Sequence, residues 1–199
     1  MKARILVWLV ALFCCHNVLF AQKEFVNASA RLSGHPRILL QKGEEKALKK
    51  VIMKDAVWKD IHQSLVDEAG EIVKLPLNER IKTGRRLLSV SRENLRRIFI
   101  LSYAYRMTGK NEFLKRAESE MLKAASFSDW NPSHFLDVGE MTMALAIGYD
   151  WLYSQLSVQT KKEIENANEE KGLKPSFDER YNWFVNAVHN WSQVCHAGV

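Results

Sequence analysis

Beyond residue 41 apolar positions recur every three or four residues, in segments of about 12 to 20 separated by short polar breaks. Strict alternation of apolar and polar residues never extends far enough to suggest a strand. The pattern predicts helices over 42–53, 55–74, 77–88, 91–108, 111–127, 133–153, 157–171, 176–187 and 189–199, and hence an all-α chain. Punctuation marks the same boundaries. Gly109 follows Met107 and Thr108 as a C-terminal glycine, Pro132, Ser133 and Ser157 stand at helix starts, and Gly172 with Pro175 closes a helix.

Two of these helices have no wet face. Ile98, Phe99, Ile100, Leu101, Tyr103 and Tyr105 surround the helix before Gly109, and between Phe135 and Tyr153 the only charges are Asp137, Glu140 and Asp150. Such helices are buried by other helices, whereas the densely charged stretch Lys161 to Lys171 belongs outside. Inner apolar helices alternating with outer amphipathic ones across short loops predict antiparallel pairs stacked in a double layer, as in a solenoid or toroid.

Ahead of the helices, Lys2 and Arg4 precede the apolar run Ile5 to Cys15, and Leu19-Phe20-Ala21 offers a cleavage site. Residues 1–21 therefore read as a secretory signal peptide, which predicts a periplasmic or secreted protein. The run is too short for a comfortable membrane span, and Cys14 and Cys15 lack the small neighbour of a lipid-attachment site, so no membrane association is expected after cleavage. Residues 22–40 read as a polar linker and an extended segment, because Pro36 drives His35 out of helix, and 41–199 as one helical domain. Loss of the leader removes Cys14 and Cys15, leaves Cys195 alone and excludes a disulfide within the chain. It also lowers the net charge from +6 to +4 with the loss of Lys2 and Arg4. That mild balance is compatible with an anionic partner. No Lys/Arg block suggests nucleic acid, since the basic stretches 46–54 and 85–97 are interleaved with apolar residues, as on solvated helix faces.

Against this charged background the closing stretch HNWSQVCHAGV contains no Lys, Arg, Asp or Glu. Wound at 100° per residue, it places His189, Asn190, Ser192, Gln193 and His196 on one arc and Trp191, Val194, Cys195, Gly198 and Val199 opposite. A solvated face normally carries Lys and Glu, so this uncharged polar arc is expected to meet a polar cavity. Upstream, Asp137 and Glu140 lie one turn apart; they suit either a carboxylate pair or the favourable first turn of a helix. Trp130, Ser133 and His134 form a polar, aromatic helix start that suits a sugar cleft or a cap with interhelical packing. Tyr181-Asn182-Trp183 and Asn190-Trp191 repeat an amide beside an indole, the groups that bind hydroxyls and stack on pyranose rings, although core tryptophan with a capping asparagine fits as well. Cys195 falls on the apolar arc, where it acts as a small hydrophobe rather than a nucleophile. His189 and His196 lack a third ligand, so no metal is expected, and no cofactor either.

Four ordered motifs carry a resemblance. The first is Gly84-Arg85-Arg86-Leu87-Leu88-Ser89-Val90-Ser91-Arg92, and the second Phe127-Ser128-Asp129-Trp130-Asn131-Pro132-Ser133-His134-Phe135-Leu136-Asp137. The third is Ala146-Ile147-Gly148-Tyr149-Asp150-Trp151-Leu152-Tyr153, and the last Asn190-Trp191-Ser192-Gln193-Val194-Cys195. In this order, and across nearly all the chain from His35 onward, they resemble the N-terminal helical domain of heparinase II/III-type polysaccharide lyases. The resemblance implies an incomplete (α/α) toroid, followed in full-length members by a β-sandwich domain. It implies an anionic polysaccharide as partner and cleavage of uronic-acid glycans by β-elimination, with acid-base chemistry and stabilisation of an enolate. Carried onto this chain, it makes Asn190 the carboxylate-neutralising residue with His196 beside it, and Trp191, Gln193, His189, Trp130, His134 and Tyr181 the substrate-binding set. His189, Ser192 and His196 depart from the family's more asparagine-rich motif. The family's catalytic tyrosine and its other histidine follow the Asn-Trp motif, so the resemblance also implies a C-terminally truncated toroid without the full catalytic set. Two alternatives remain at this stage: a glycoside hydrolase using Asp137 and Glu140, and a helical glycan-binding module without chemistry.

Overall fold

The computed structural model describes residues 34–199; the predicted leader, and the linker up to residue 33, lie outside the described residues. Helices α1 (Glu45–Lys54), α2 (Ala56–Lys74), α3 (Leu88–Thr108), α4 (Asn111–Ala125), α5 (Phe135–Leu152) and α6 (Val158–Ala167) follow in order. A π-helical turn, Asn168–Leu173, runs on from α6 into the short α7, Lys174–Ser176, and a 3-10 turn, Asn182–Asn186, precedes α8, Asn190–Gly198. The protein is all-α: among the described residues the nearest thing to a strand is one isolated bridge between Thr83 and Arg86.

The two helices that lack a wet face form the centre. α3 packs along α5, with α4, α6 and α8 against their flanks. Ile98, Leu101 and Ala104 of α3, Met141, Leu145 and Leu152 of α5, Met121 of α4 and Ile164 of α6 are fully buried. Each large aliphatic side chain removed from water in this way contributes about 1.5–3 kcal/mol. Gly148 lets three helices meet, because a Cβ there would lie 2.5 Å from Met121 Sδ and 2.6 Å from Ile98 Cγ2. Gly109 ends α3 in the left-handed conformation (φ 73°), its N–H donating to Tyr105 O, and the Ser157 hydroxyl caps α6 by accepting from Thr160 N.

Buried carboxylates fix the connections. Asp150, near the end of α5, accepts from His35 Nδ1 at 2.5 Å, Arg37 N at 2.9 Å and Ile38 N at 3.0 Å, which ties the extended segment before α1 onto the core. The second nitrogen of His35 is also taken, by the Arg37 guanidinium, and its ring stacks on Tyr153 at 4.0 Å. Glu120 of α4 holds Arg97 at 3.1 Å and Arg116 at 2.7 Å, and these arginines donate onward to Pro76 O and Val73 O.

Those arginine bonds explain one correction. The helix expected over 77–88 is absent up to Leu88, where α3 begins: Arg80 is drawn to Asp129 (2.6 Å), Asn78 to Asn94 (2.8 Å) and Lys82 to Asn131 (3.3 Å). Thr83 and Arg86 then exchange backbone hydrogen bonds of 2.8 and 3.2 Å around Gly84, whose φ is 61°. A lone helix of that length is marginal, so tertiary bonds and a glycine turn override its periodicity. Residues 176–187 also depart from expectation. The Asp178 carboxylate takes Arg180 N at 2.9 Å to make a turn, and of the apparent apolar stripe only Phe184 is buried, with Phe177 exposed. Gly172 closes no helix. The π turn passes through it, and glycine is required at this position because a Cβ there would lie 2.5 Å from Thr142 Oγ1 and 3.3 Å from the Trp130 ring.

Candidate functional site

The site is built at the N-terminal end of α5. Asp137 sits in the first turn of this helix and is wholly buried. Its carboxylate accepts three hydrogen bonds: from Leu87 N at 2.7 Å, from Asn131 Nδ2 at 2.7 Å and from His134 Nδ1 at 2.8 Å. A buried carboxylate is kept by its donors' hydrogen bonds, and it holds those donors in place in return. Asn131, in the left-handed region (φ 60°), also donates to Arg85 O at 2.9 Å. One carboxylate and one amide therefore fix the turn that presents Arg85 and Arg86. Both side chains are exposed, and among the described residues neither has an ion-pair partner.

A second wall comes from α8. This helix lies on α5 by backbone contact: a Cβ on Gly198 would stand 2.2 Å from Gly139 O, and one on Gly139 would stand 3.3 Å from Cys195 Cα. Cys195 is buried there, and burial pushes its thiol up to about 11, away from thiolate chemistry. The docking brings the Trp191 indole against the His134 imidazole, edge to face with centroids 4.7 Å apart, and against Trp183 at 5.1 Å. His189 caps α8 by accepting from Trp191 N at 3.3 Å. Arg85, Arg86, Ser133, His134, Trp183 and Trp191 thus enclose a cavity of about 350 Å³. A second cavity of about 520 Å³ shares Arg86 and continues past Thr83, Leu88 and Ser89 to Arg92.

Of the residues singled out in the sequence, Ser133, His134, Trp183 and Trp191 meet at this cavity. The others are placed elsewhere. Trp130 is fully buried with its indole N–H on Ala124 O at 3.0 Å, so it is a core residue and lines no cleft. Tyr181 packs against the core, with the Arg180 guanidinium over its ring. Asn190, Gln193 and His189 are exposed. His196 is exposed too; its Nδ1 donates to Ser192 O at 2.7 Å, and it borders a separate, mainly apolar groove with Phe99, Met143 and Ile147. The polar arc of α8 therefore faces water over most of its length, contrary to the expectation of a polar cavity. The cause is the Gly139–Gly198 contact, which turns the opposite arc inward.

The carboxylate pair also separates. Asp137 is consumed by its three donors, and Glu140 bonds Ser91 at 3.2 Å and Arg92 at 3.1 Å. Neither is available to protonate or attack a glycosidic bond. Sequence reasoning missed Arg85 and Arg86 as lining groups. The arginines were read as a helix face, and Gly84 ahead of them was the available sign of a turn.

Fold and site together define an all-α protein with a small cavity of cationic and aromatic character. No family model matches the sequence, and no curated protein matches it.

Proposed function

We propose that the chain is the sugar-binding helical part of a polysaccharide lyase acting on uronic-acid glycans of the heparin or heparan kind, in the periplasm or outside the cell. Its helices belong, in this reading, to an incomplete (α/α) toroid of antiparallel pairs. One observation carries the proposal: two arginines that have no ion-pair partner among the described residues share a cavity with two indoles and an imidazole. Guanidinium forks grip carboxylate or sulfate, and indoles stack on pyranose rings, so the combination suits an anionic sugar better than a neutral sugar or an isolated anion. The adjoining cavity through Arg86 to Arg92 suits a ligand that continues as a chain. Asn190, the residue before Trp191 and exposed at the start of α8, is the amide that neutralises the uronate carboxylate in this scheme. The hydrolase alternative loses support because Asp137 is engaged in structure.

Titration calorimetry with heparin-derived and alginate-derived tetrasaccharides tests the proposal. Binding is expected to weaken with added salt and to fall at least about tenfold when Arg85 and Arg86 are both replaced by alanine. Absorbance of unsaturated uronate products is expected to stay flat for this chain alone. Steady turnover would show that the catalytic set is complete here, and failure to bind any uronate glycan would overturn the proposal.

A further inference from the structure

His134 has a feature the sugar-binding reading does not use. The Asp137 carboxylate can only accept, so His134 Nδ1 carries the proton in the 2.8 Å bond between them. In the neutral imidazole that bond fixes the tautomer and leaves Nε2 with its lone pair. Nε2 is buried, and among the described residues nothing bonds to it. An unsatisfied buried acceptor costs about 1–3 kcal/mol, which a structural histidine normally avoids. The other imidazole held by a carboxylate of α5 avoids it: His35 bonds Asp150 through Nδ1 and accepts from Arg37 through Nε2. The His134 ring instead meets the half-buried Trp191 indole edge to face and lines the cavity with Arg85, Arg86 and Trp183.

We infer that His134 Nε2 is a ligand-binding atom of this cavity, accepting a hydrogen bond from a ring hydroxyl of the anionic sugar whose acidic group lies on Arg85 and Arg86. The inference rests on the sugar-binding reading and adds to it a selectivity for the ring. The arginines recognise charge, which many anions carry, whereas a fixed acceptor beside two indoles recognises a hydroxyl on a stacked pyranose. The Trp191 indole turns away from the imidazole to make room and stacks on the entering ring.

Long-range proton-nitrogen NMR of the histidine rings reads this directly in the unmodified chain, with the His134 signals assigned by their loss in His134→Gln. In the free protein Nδ1 is expected to carry the proton and Nε2 to show the shift of a bare ring nitrogen. A glucuronate-containing tetrasaccharide should then move the His134 Nε2 signal while leaving that of His35 in place. His134→Gln, if it melts as the parent does, should bind the same tetrasaccharide about tenfold more weakly, while its affinity for inorganic sulfate is unchanged. A proton on Nε2 in the free protein would overturn the inference, as would tetrasaccharide binding that leaves Nε2 unmoved; either result leaves the sugar-binding reading intact. Failure of the tetrasaccharide, heparin and alginate fragments to bind at all would overturn that reading, and the inference with it.

Discussion

The two ends of α5 use the same device for different ends. Near the C-terminal end, Asp150 gathers His35 Nδ1 and two backbone N–H groups; at the N-terminal end, Asp137 gathers His134 Nδ1, one backbone N–H and one amide. Each carboxylate pins a loop that arrives from elsewhere in the chain. They differ at the second imidazole nitrogen, which is occupied at His35 and, among the described residues, unbonded at His134. They also differ in surroundings, because His35 stacks on Tyr153 whereas His134 faces an indole and a cationic cavity. A carboxylate-imidazole pair alone therefore says nothing of function. What distinguishes a working site from a clamp is whether the pair is closed.

Removing the carboxylates should hide that difference. Asp137→Ala and Asp150→Ala each leave several buried donors without an acceptor, and each should lose about 3–5 kcal/mol in urea unfolding. A loss below about 1 kcal/mol at either site would break the equivalence of the two ends. A smaller effect should isolate the seat of α8. Gly198→Ala forces a Cβ to within 2.2 Å of Gly139 O and should cost about 1–3 kcal/mol by overpacking, with loss of the Trp191–His134 contact followed by tryptophan fluorescence.

The histidines should then separate the ends. His35→Gln is expected to cost about 1–2 kcal/mol, since Asp150 and Arg37 both lose a partner, while His134→Gln should cost less than about 1 kcal/mol because Asp137 keeps two other donors. Equal losses in chemical denaturation would show that both pairs are clamps. A last test concerns pH. Burial raises the Cys195 thiol from 9.0 to about 11, so folding favours the protonated form. Its contribution is fully present below pH 9 and is lost as pH rises through 11. Comparison with Cys195→Ala between those limits should show a steeper fall in stability for the parent, together with slow alkylation of the native thiol at pH 8.

Much of the fold was legible. The lack of a wet face on α3 and α5 announced the core, and Gly109 and Ser157 marked helix ends by their own backbone chemistry. The segment 77–88 was not, because its helical periodicity was outweighed by bonds to residues distant in sequence, such as Arg80 to Asp129, and 176–187 was not, because the Asp178 carboxylate takes Arg180 N into a turn. The site was legible in part for the same reason. His134 and Trp191 could be picked out by residue type, but the role of Asp137 depends on Leu87 and Asn131, and the role of Arg85 and Arg86 depends on a turn the periodicity concealed. On α8 the polar arc was read correctly as an arc; its direction was set by a contact between two glycines, which leave no mark in a hydrophobic pattern.

The π turn at Asn168–Leu173 has a consequence for changes of chain length. Such a turn is an α-helix that has absorbed an extra residue without breaking. Deleting a single residue there would open no gap; the chain would close back to α-helical winding with the segments on either side keeping their bearing, and the residues of the turn itself would shift place. Gly172 would leave its place over Thr142, and Lys171 would lose the carbonyls of Ala125 and Phe127. This stretch, exposed and charged along most of its surface, should thus accept many exchanges of one residue for another and very few deletions. Its constraint lies in the reading of its length.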